Sequence, residues 1–537
     1  MLKLSLDGLK NRSAWEGAGV ELPAYDLEKV RQNTHAAPIW VHFGAGNIAR
    51  GFVAALQQNL LDRGLSQTGI IAVETYDEEI IDRIYAPYDS LSLLVIMLPD
   101  GTLKKKIISS MSDALVGAPD RKEDWARLVS IFENPSLQMA SFTITEKGYA
   151  LKGLSGDYFN DVKLDLEAGP DNPRHVMAKA AALAYRRFKK GRLPLAFVSM
   201  DNCSKNGKIL HGSISEIAEK WVEKGLVEPA FLDYVNDPSL LSFPWSMIDK
   251  ITPRPSDVVK AELEKLGIEG MDILCTSKKT YIAPYVNTEE PQYLAVEDLF
   301  PNGRPPLEKA GVMVADRETV ERIEKMKVCT CLNPLHTALA VYGCLLGYNS
   351  IAGEMKDPEL KKLVEEIGFT EGMPVVVHPG VLAPEDFIRE VLEKRLPNPF
   401  IPDMPQRIVS DTSQKVGIRF GETIKAYAAK APDGKVNLTY IPLAIAGWCR
   451  YLLGIDDEGK TFELSPDPMM NELKAVVDGI ELGRGDGKKL KPLLSNERIF
   501  GLDLYSVGLG EKIEAYFNEL TEGVHAVRKT LVKYLKA

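Results

Sequence analysis

The stretch KVCTCLNPLH, residues 327 to 336, sets Lys327, Cys329, Cys331, Asn333 and His336 within ten positions. Two kinds of chemistry use such groups. Thiolates and an imidazole bind metals, whereas an amine, an amide and an imidazole can move a proton and stabilise oxygen charge without one. A metal site needs roughly four ligands, commonly with Cys pairs two to four residues apart. Cys329 and Cys331 have no second pair beside them and the other histidines are scattered, so the spacing predicts no metal. The thiols read instead as reduced, buried, small hydrophobes. Asn333 and His336 also have plain structural readings. Asparagine caps helices, proline suits the first helical position, and a lone histidine can simply sit in a core.

A second amide changes the balance. The apolar strand LPLAFVSM (193–200) runs into DNCSKNG (201–207), which puts Asn202 just beyond the carboxyl end of a strand. Open α/β sheets bind ligands there. Upstream, GAGNIA (44–49) fits G-x-G-x-x-A directly after the strand PIWVHF and at the start of a helix. In that context Gly44 permits the tight turn, Gly46 lets a pyrophosphate approach the backbone, and Ala49 lets helix and sheet pack closely. Amides at the helix start, where Asn47 stands, face the phosphates. The other reading of this stretch is a tight strand-to-helix turn without a ligand. Glu74 ends the next strand, where a carboxylate accepts from ribose hydroxyls and repels a 2′-phosphate; this favours NAD over NADP. Its alternative is a solvated acid in the cluster Glu74, Asp77, Glu78 and Glu79.

These residues need a scaffold. Residues 38 to 84 read as strand, glycine turn, helix and strand, a βαβ unit, and SLLVIMLPDGTLKKKIIS (92–109) as an antiparallel hairpin turning at Pro99-Asp100-Gly101. The α/β alternation continues to about residue 200. From 235 to 305, Pro-rich and aromatic text predicts strands and loops, and beyond 310 helical periodicity dominates. A chain of 537 residues exceeds what one core usually supports. The fold class is therefore α/β: a Rossmann-like N-terminal domain with extra strands over 1–305, and a mainly α-helical C-terminal domain over 306–537. A net charge of −10 disfavours nucleic acid and anionic membranes as partners and leaves small molecules. No apolar run reaches ~18 residues and no signal-peptide pattern opens the chain, so a cytoplasmic location is expected.

Taken together, GAGNIARG, TITEKGY (143–149), SMDNCSKNG (199–207), MIDKITP (247–253), KVCTCLNPLH and RIVSDTSQK (407–415) resemble the mannitol dehydrogenase family of long-chain polyol dehydrogenases, in the family's order. Its members include mannitol dehydrogenases, fructuronate reductases and tagaturonate reductases, and the pattern is most similar to the fructuronate reductases. The resemblance implies NAD-dependent, metal-independent hydride transfer between D-mannonate and D-fructuronate, with a sugar acid as the small-molecule partner. It implies Lys327 as general base, Asn202 and Asn333 polarising the reacting oxygen, His336 orienting the substrate, and Arg407 and Lys415 near the sugar acid. Each of these two cations also has a reading as a solvated surface charge. A tagaturonate reductase, a mannitol-type dehydrogenase and a non-catalytic nucleotide sensor remain as alternatives.

One spacing departs from the family. Lys327 stands six residues before Asn333, where the family usually has five. On a continuous helix at ~100° per residue, Lys327 and His336 would then lie on opposite faces. A kink or restart at Pro334, or a bulge holding one extra residue, would restore the phase. Without one, Lys325 or another lysine must be the base.

Overall fold

Uninterrupted apolar runs build a parallel sheet. Strand β1, Trp40–Phe43, is buried at all four positions, as a strand covered on both faces must be. It is followed by β2 (Ile70–Glu74), β3 (Met111–Val116), β4 (Met139–Phe142), β5 (Leu195–Ser199) and β6 (Leu241–Ser242). Their spatial order is β6-β5-β4-β1-β2-β3, with parallel pairing throughout. The chain moves outward from β1 to β3, then returns to start β4 on the other side of β1. This reversal opens a crevice at the carboxyl ends of β1 and β4.

Side chains alternate between two apolar layers. Val41 and Phe43 join Leu128, Phe132, Ala181 and Trp221, while Trp40 joins Phe52, Leu60, Ile80 and Val296 on the other face. The one polar side chain of β1, His42, is fully buried, and its ring nitrogens contact the hydroxyls of Ser141 (2.6 Å) and Thr143 (2.8 Å). Desolvation pulls its pKa down to about 3, so it sits in the sheet as a neutral ring.

The computed structural model describes residues 1–153 and 155–536, and the chain divides into two compact units, Met1–Glu321 and Arg322–Ala537. In the first unit, Ser92–Met97 pairs antiparallel with Leu103–Ile108. This hairpin belongs to a separate four-stranded sheet with Val20–Glu21 and Tyr285–Thr288. Strands and loops alone do not account for 235–305: Asp257–Lys265 is a helix, capped by the Ser256 side chain accepting from Val259 N–H. Its buried contacts, Val259 and Leu263, are a single i,i+4 pair, too little periodicity to stand out among flanking prolines.

Beyond Ala315 every regular element among the described residues is helical. The run Arg317–Leu345 is 29 residues long, with a mean hydropathy of 1.3 over its most apolar window. By length and composition it could cross a membrane, yet 83% of that window is buried inside the protein, as befits a core helix. It consists of α1 (Arg317–Met326), a π-helical turn (Lys327–Cys331) and α2 (Asn333–Leu345). Within the second unit α2 packs on the helix Tyr440–Tyr451, where the Tyr342 hydroxyl donates to Leu443 O at 2.8 Å.

Candidate active site

In the first unit the glycine turn leaves β1 through Gly44 at φ +96°, a conformation that side-chain-bearing residues rarely adopt. A Cβ on Gly44 would meet Thr143 O at 2.1 Å, whereas one on Gly46 would meet nothing within 4 Å. Gly44 is therefore required by the fold, and Gly46 leaves open backbone. Both border a cavity of about 850 Å³ with Glu74, Asp77, Thr143 and Lys147. That opening suits a phosphate group drawn up to the helix start.

Glu74 and Asn47 are more occupied than their sequence positions suggest. One Glu74 oxygen accepts from Ala45 N–H (2.9 Å) and the other from Thr75 (2.9 Å), Tyr76 (2.9 Å) and Asp77 (3.2 Å) N–H. Three of these amides share one oxygen, and the other, with a single donor, keeps an acceptor site. Glu74 thus ties the glycine turn to the loop after β2 while placing a negative charge at the cavity wall. The Asn47 side chain accepts from the buried Arg50 (2.9 Å).

Asn202 lies in the turn after β5 and is exposed. Its neighbour Asp201, which sequence reasoning passed over although it stands in the same motif, organises this region. The Asp201 carboxylate accepts from Ile144 N–H (2.8 Å), Thr145 N–H (3.0 Å) and the Tyr149 hydroxyl (2.7 Å). It joins the loops after β4 and β5, and holds Thr145 at φ +65°.

In the second unit the extra residue before Asn333 is taken up by the π turn. Leu332 N–H donates to Lys327 O at 3.1 Å, an i to i+5 bond, and Leu332 then leaves helical geometry at φ −133°, ψ −61°. The helix resumes with His336 N–H donating to Leu332 O at 3.0 Å. Two residues explain the break. Pro334 has no N–H to offer the carbonyl of Thr330, and the Thr423 hydroxyl donates to the carbonyl of Cys329 at 3.1 Å. A π turn holds one residue more than an α turn, so nine steps from Lys327 to His336 span close to the arc of eight. Lys327 is buried, at 2% exposure. Asn333 is not the cap of α2: that position belongs to Leu332, and no side chain caps the helix. The restart comes from the π turn and proline, leaving the Asn333 amide unused by the helix end.

His336 is partly buried, and its enclosed Nε2 lies 3.4 Å from Asp403 Oδ2 but without hydrogen-bond alignment. Desolvation pulls its pKa down to about 4; Asp403 opposes this, and Arg419, Arg395 and Arg407 reinforce it. Arg407, exposed, is paired with the same Asp403. The ammonium of Lys415 is turned to the backbone oxygens of Ser410 and Ile408. Arg419, another residue missed from sequence, donates to Thr337 Oγ1 (2.5 Å), whose hydroxyl donates to Asn333 O (2.9 Å). Cys329 and Cys331 are buried, Cys331 Sγ lies 3.9 Å from Pro384 O, and burial pushes both thiols up, Cys329 to about 12. Among the described residues, no group of three or more His, Cys, Asp or Glu is arranged to hold a metal.

Two family models match: the mannitol dehydrogenase Rossmann domain over residues 38–309, and the mannitol dehydrogenase C-terminal domain over 319–521. The chain is 56% identical over 534 residues to a D-mannonate oxidoreductase of Thermotoga maritima, covering 99% of this chain and 98% of the relative. Among solved structures, it resembles a D-sorbitol dehydrogenase in substrate-free form (TM-score 0.79, 25% identity, 95% of this chain and 97% of the other). It also resembles the Pseudomonas fluorescens mannitol 2-dehydrogenase in ternary complex with NAD and D-mannitol (TM-score 0.70, 25% identity, 99% of both chains).

Proposed function

We propose a D-mannonate oxidoreductase that interconverts D-mannonate and D-fructuronate with NAD, and the premise is plain: the chain belongs to the mannitol dehydrogenase family. The observation that carries the substrate is the 56% identity, end to end, with the Thermotoga maritima D-mannonate oxidoreductase. When bound, NAD supplies the hydride acceptor. Gly44, Gly46 and the Asn47 amide hold its pyrophosphate, and the Glu74 charge disfavours a 2′-phosphate. Lys327 removes the proton of the hydroxyl borne by the carbon that loses hydride, and the amides of Asn202 and Asn333 hold that oxygen as negative charge develops. His336, kept neutral by burial, orients a substrate hydroxyl, and Arg407 and Lys415 attract the sugar acid. Residues 1–305 bind the dinucleotide in this reading and contribute Asn202, and 306–537 supply the base and the other substrate contacts. No metal takes part. The cytoplasm is the favoured compartment, supported by six free thiols.

A substrate panel tests this. Followed by reduced-nicotinamide absorbance, D-mannonate with NAD should give the highest kcat/KM, above D-mannitol and above D-mannonate with NADP, and chelator should leave activity intact. In the reverse direction D-fructuronate should exceed D-tagaturonate. A preference for either competing sugar overturns the substrate, and no turnover of any member leaves a nucleotide sensor.

A further inference from the structure

Arg419, Arg395 and Arg407 act on His336, and Lys415 stands near Arg419 and Arg407; of these, Arg407, Lys415 and Arg419 differ in what they already hold. Arg407 is paired with Asp403, and Lys415 spends its ammonium on backbone carbonyls. Arg419 is half-buried and has one hydrogen-bonded partner for its guanidinium, Thr337 Oγ1. Among the described residues no carboxylate pairs with it, and desolvation alone pulls its pKa down to about 10. It stays charged at neutral pH. A desolvated cation without a counter-ion is costly, and a guanidinium bears five N–H donors in a planar fork. One is used here.

The position of this fork is specific. Through Thr337 it is two hydrogen bonds from the carbonyl of Asn333, and its charge acts on both His336 and Lys415. We propose that Arg419 grips the carboxylate of the sugar-acid substrate through paired N–H donors and thereby sets the choice of acid over polyol, an assignment that rests on the reaction proposed above. Ligand binding supplies the counter-ion that the protein withholds. A polyol offers only hydroxyls to the same fork and leaves the charge unpaired.

The test compares wild type, Arg419→Met and Arg419→Lys. Arg419→Met should lower kcat/KM for D-mannonate by about 10²-fold or more, while D-mannitol changes less than about threefold. Arg419→Lys, which keeps the charge without the fork, should fall between on the acid. Equilibrium binding of D-mannonate, with NAD affinity as control, separates the two levels of the claim. If wild type binds D-mannonate but oxidises only the polyol, the proposed reaction fails and binding still judges Arg419. Arg419 loses the role if Arg419→Met binds D-mannonate as tightly as wild type, or if acid and polyol activities fall equally. Should Arg419→Met not fold, equal losses in Arg419→Lys overturn the assignment, and a loss confined to the acid supports it.

Discussion

Lys327 and Lys325 are neighbours in sequence and opposites in setting. Lys325 is half-exposed, with its ammonium 3.6 Å from Glu422, whereas Lys327 is buried at the start of the π turn. Lys327→Ala should therefore lower turnover by roughly 10²- to 10⁴-fold with NAD affinity nearly unchanged, and Lys325→Ala should change turnover little. Single-turnover rates and NAD titration on both variants check this. A loss confined to Lys325→Ala would move the base. At this scale the sequence names the groups with chemistry, since Lys327, Asn333 and His336 are visible as types in one short stretch. Their supports are not visible. Asp201 acts on Ile144 and Thr145, and Thr423 acts on Cys329, across separations that only folding closes.

The strand-turn-helix element at Gly44 separates two roles that the sequence motif merges. A Cβ at Gly44 collides with Thr143 O and must also adopt φ +96°, while a Cβ at Gly46 meets only empty space. Gly46→Ala should leave the unfolding midpoint within about 2 °C of wild type and weaken NAD binding at least about tenfold, because the methyl occupies the approach of the pyrophosphate. Gly44→Ala should lose both stability and binding. Thermal unfolding with and without NAD distinguishes the cases; undiminished NAD binding by folded Gly46→Ala would remove the pyrophosphate from this turn. Elements with long periodic signals, such as the strands around the turn and the helix Val176–Lys189, are readable from sequence. The helix at 257–265 is not, because it offers one buried i,i+4 pair, and the π turn could be inferred only as a need to restore phase.

For the molecule as a whole, one buried acid ties stability to pH. Glu354 is 0% exposed, neither carboxyl oxygen has a hydrogen-bond partner, and Gly343 on α2 leaves the room one of them occupies. Desolvation, with Asp357 adding repulsion, pushes its pKa up from 4.5 to about 9. The folded chain thus keeps this proton up to about pH 9, while the unfolded chain releases it near 4.5. Between those limits the folded state binds more protons, so rising pH erodes stability, by an amount on the order of several kcal/mol across the window. Glu354→Gln, which cannot ionise, should flatten that dependence. Urea unfolding of the second unit at pH 5.5, 7 and 8.5 should give midpoints that fall with pH in wild type more steeply than in the variant. The slope is the readout, because a buried amide with unmet donors has its own constant cost. Identical slopes in the two proteins would mean that Glu354 ionises in the folded state as it does in the unfolded chain, against its burial.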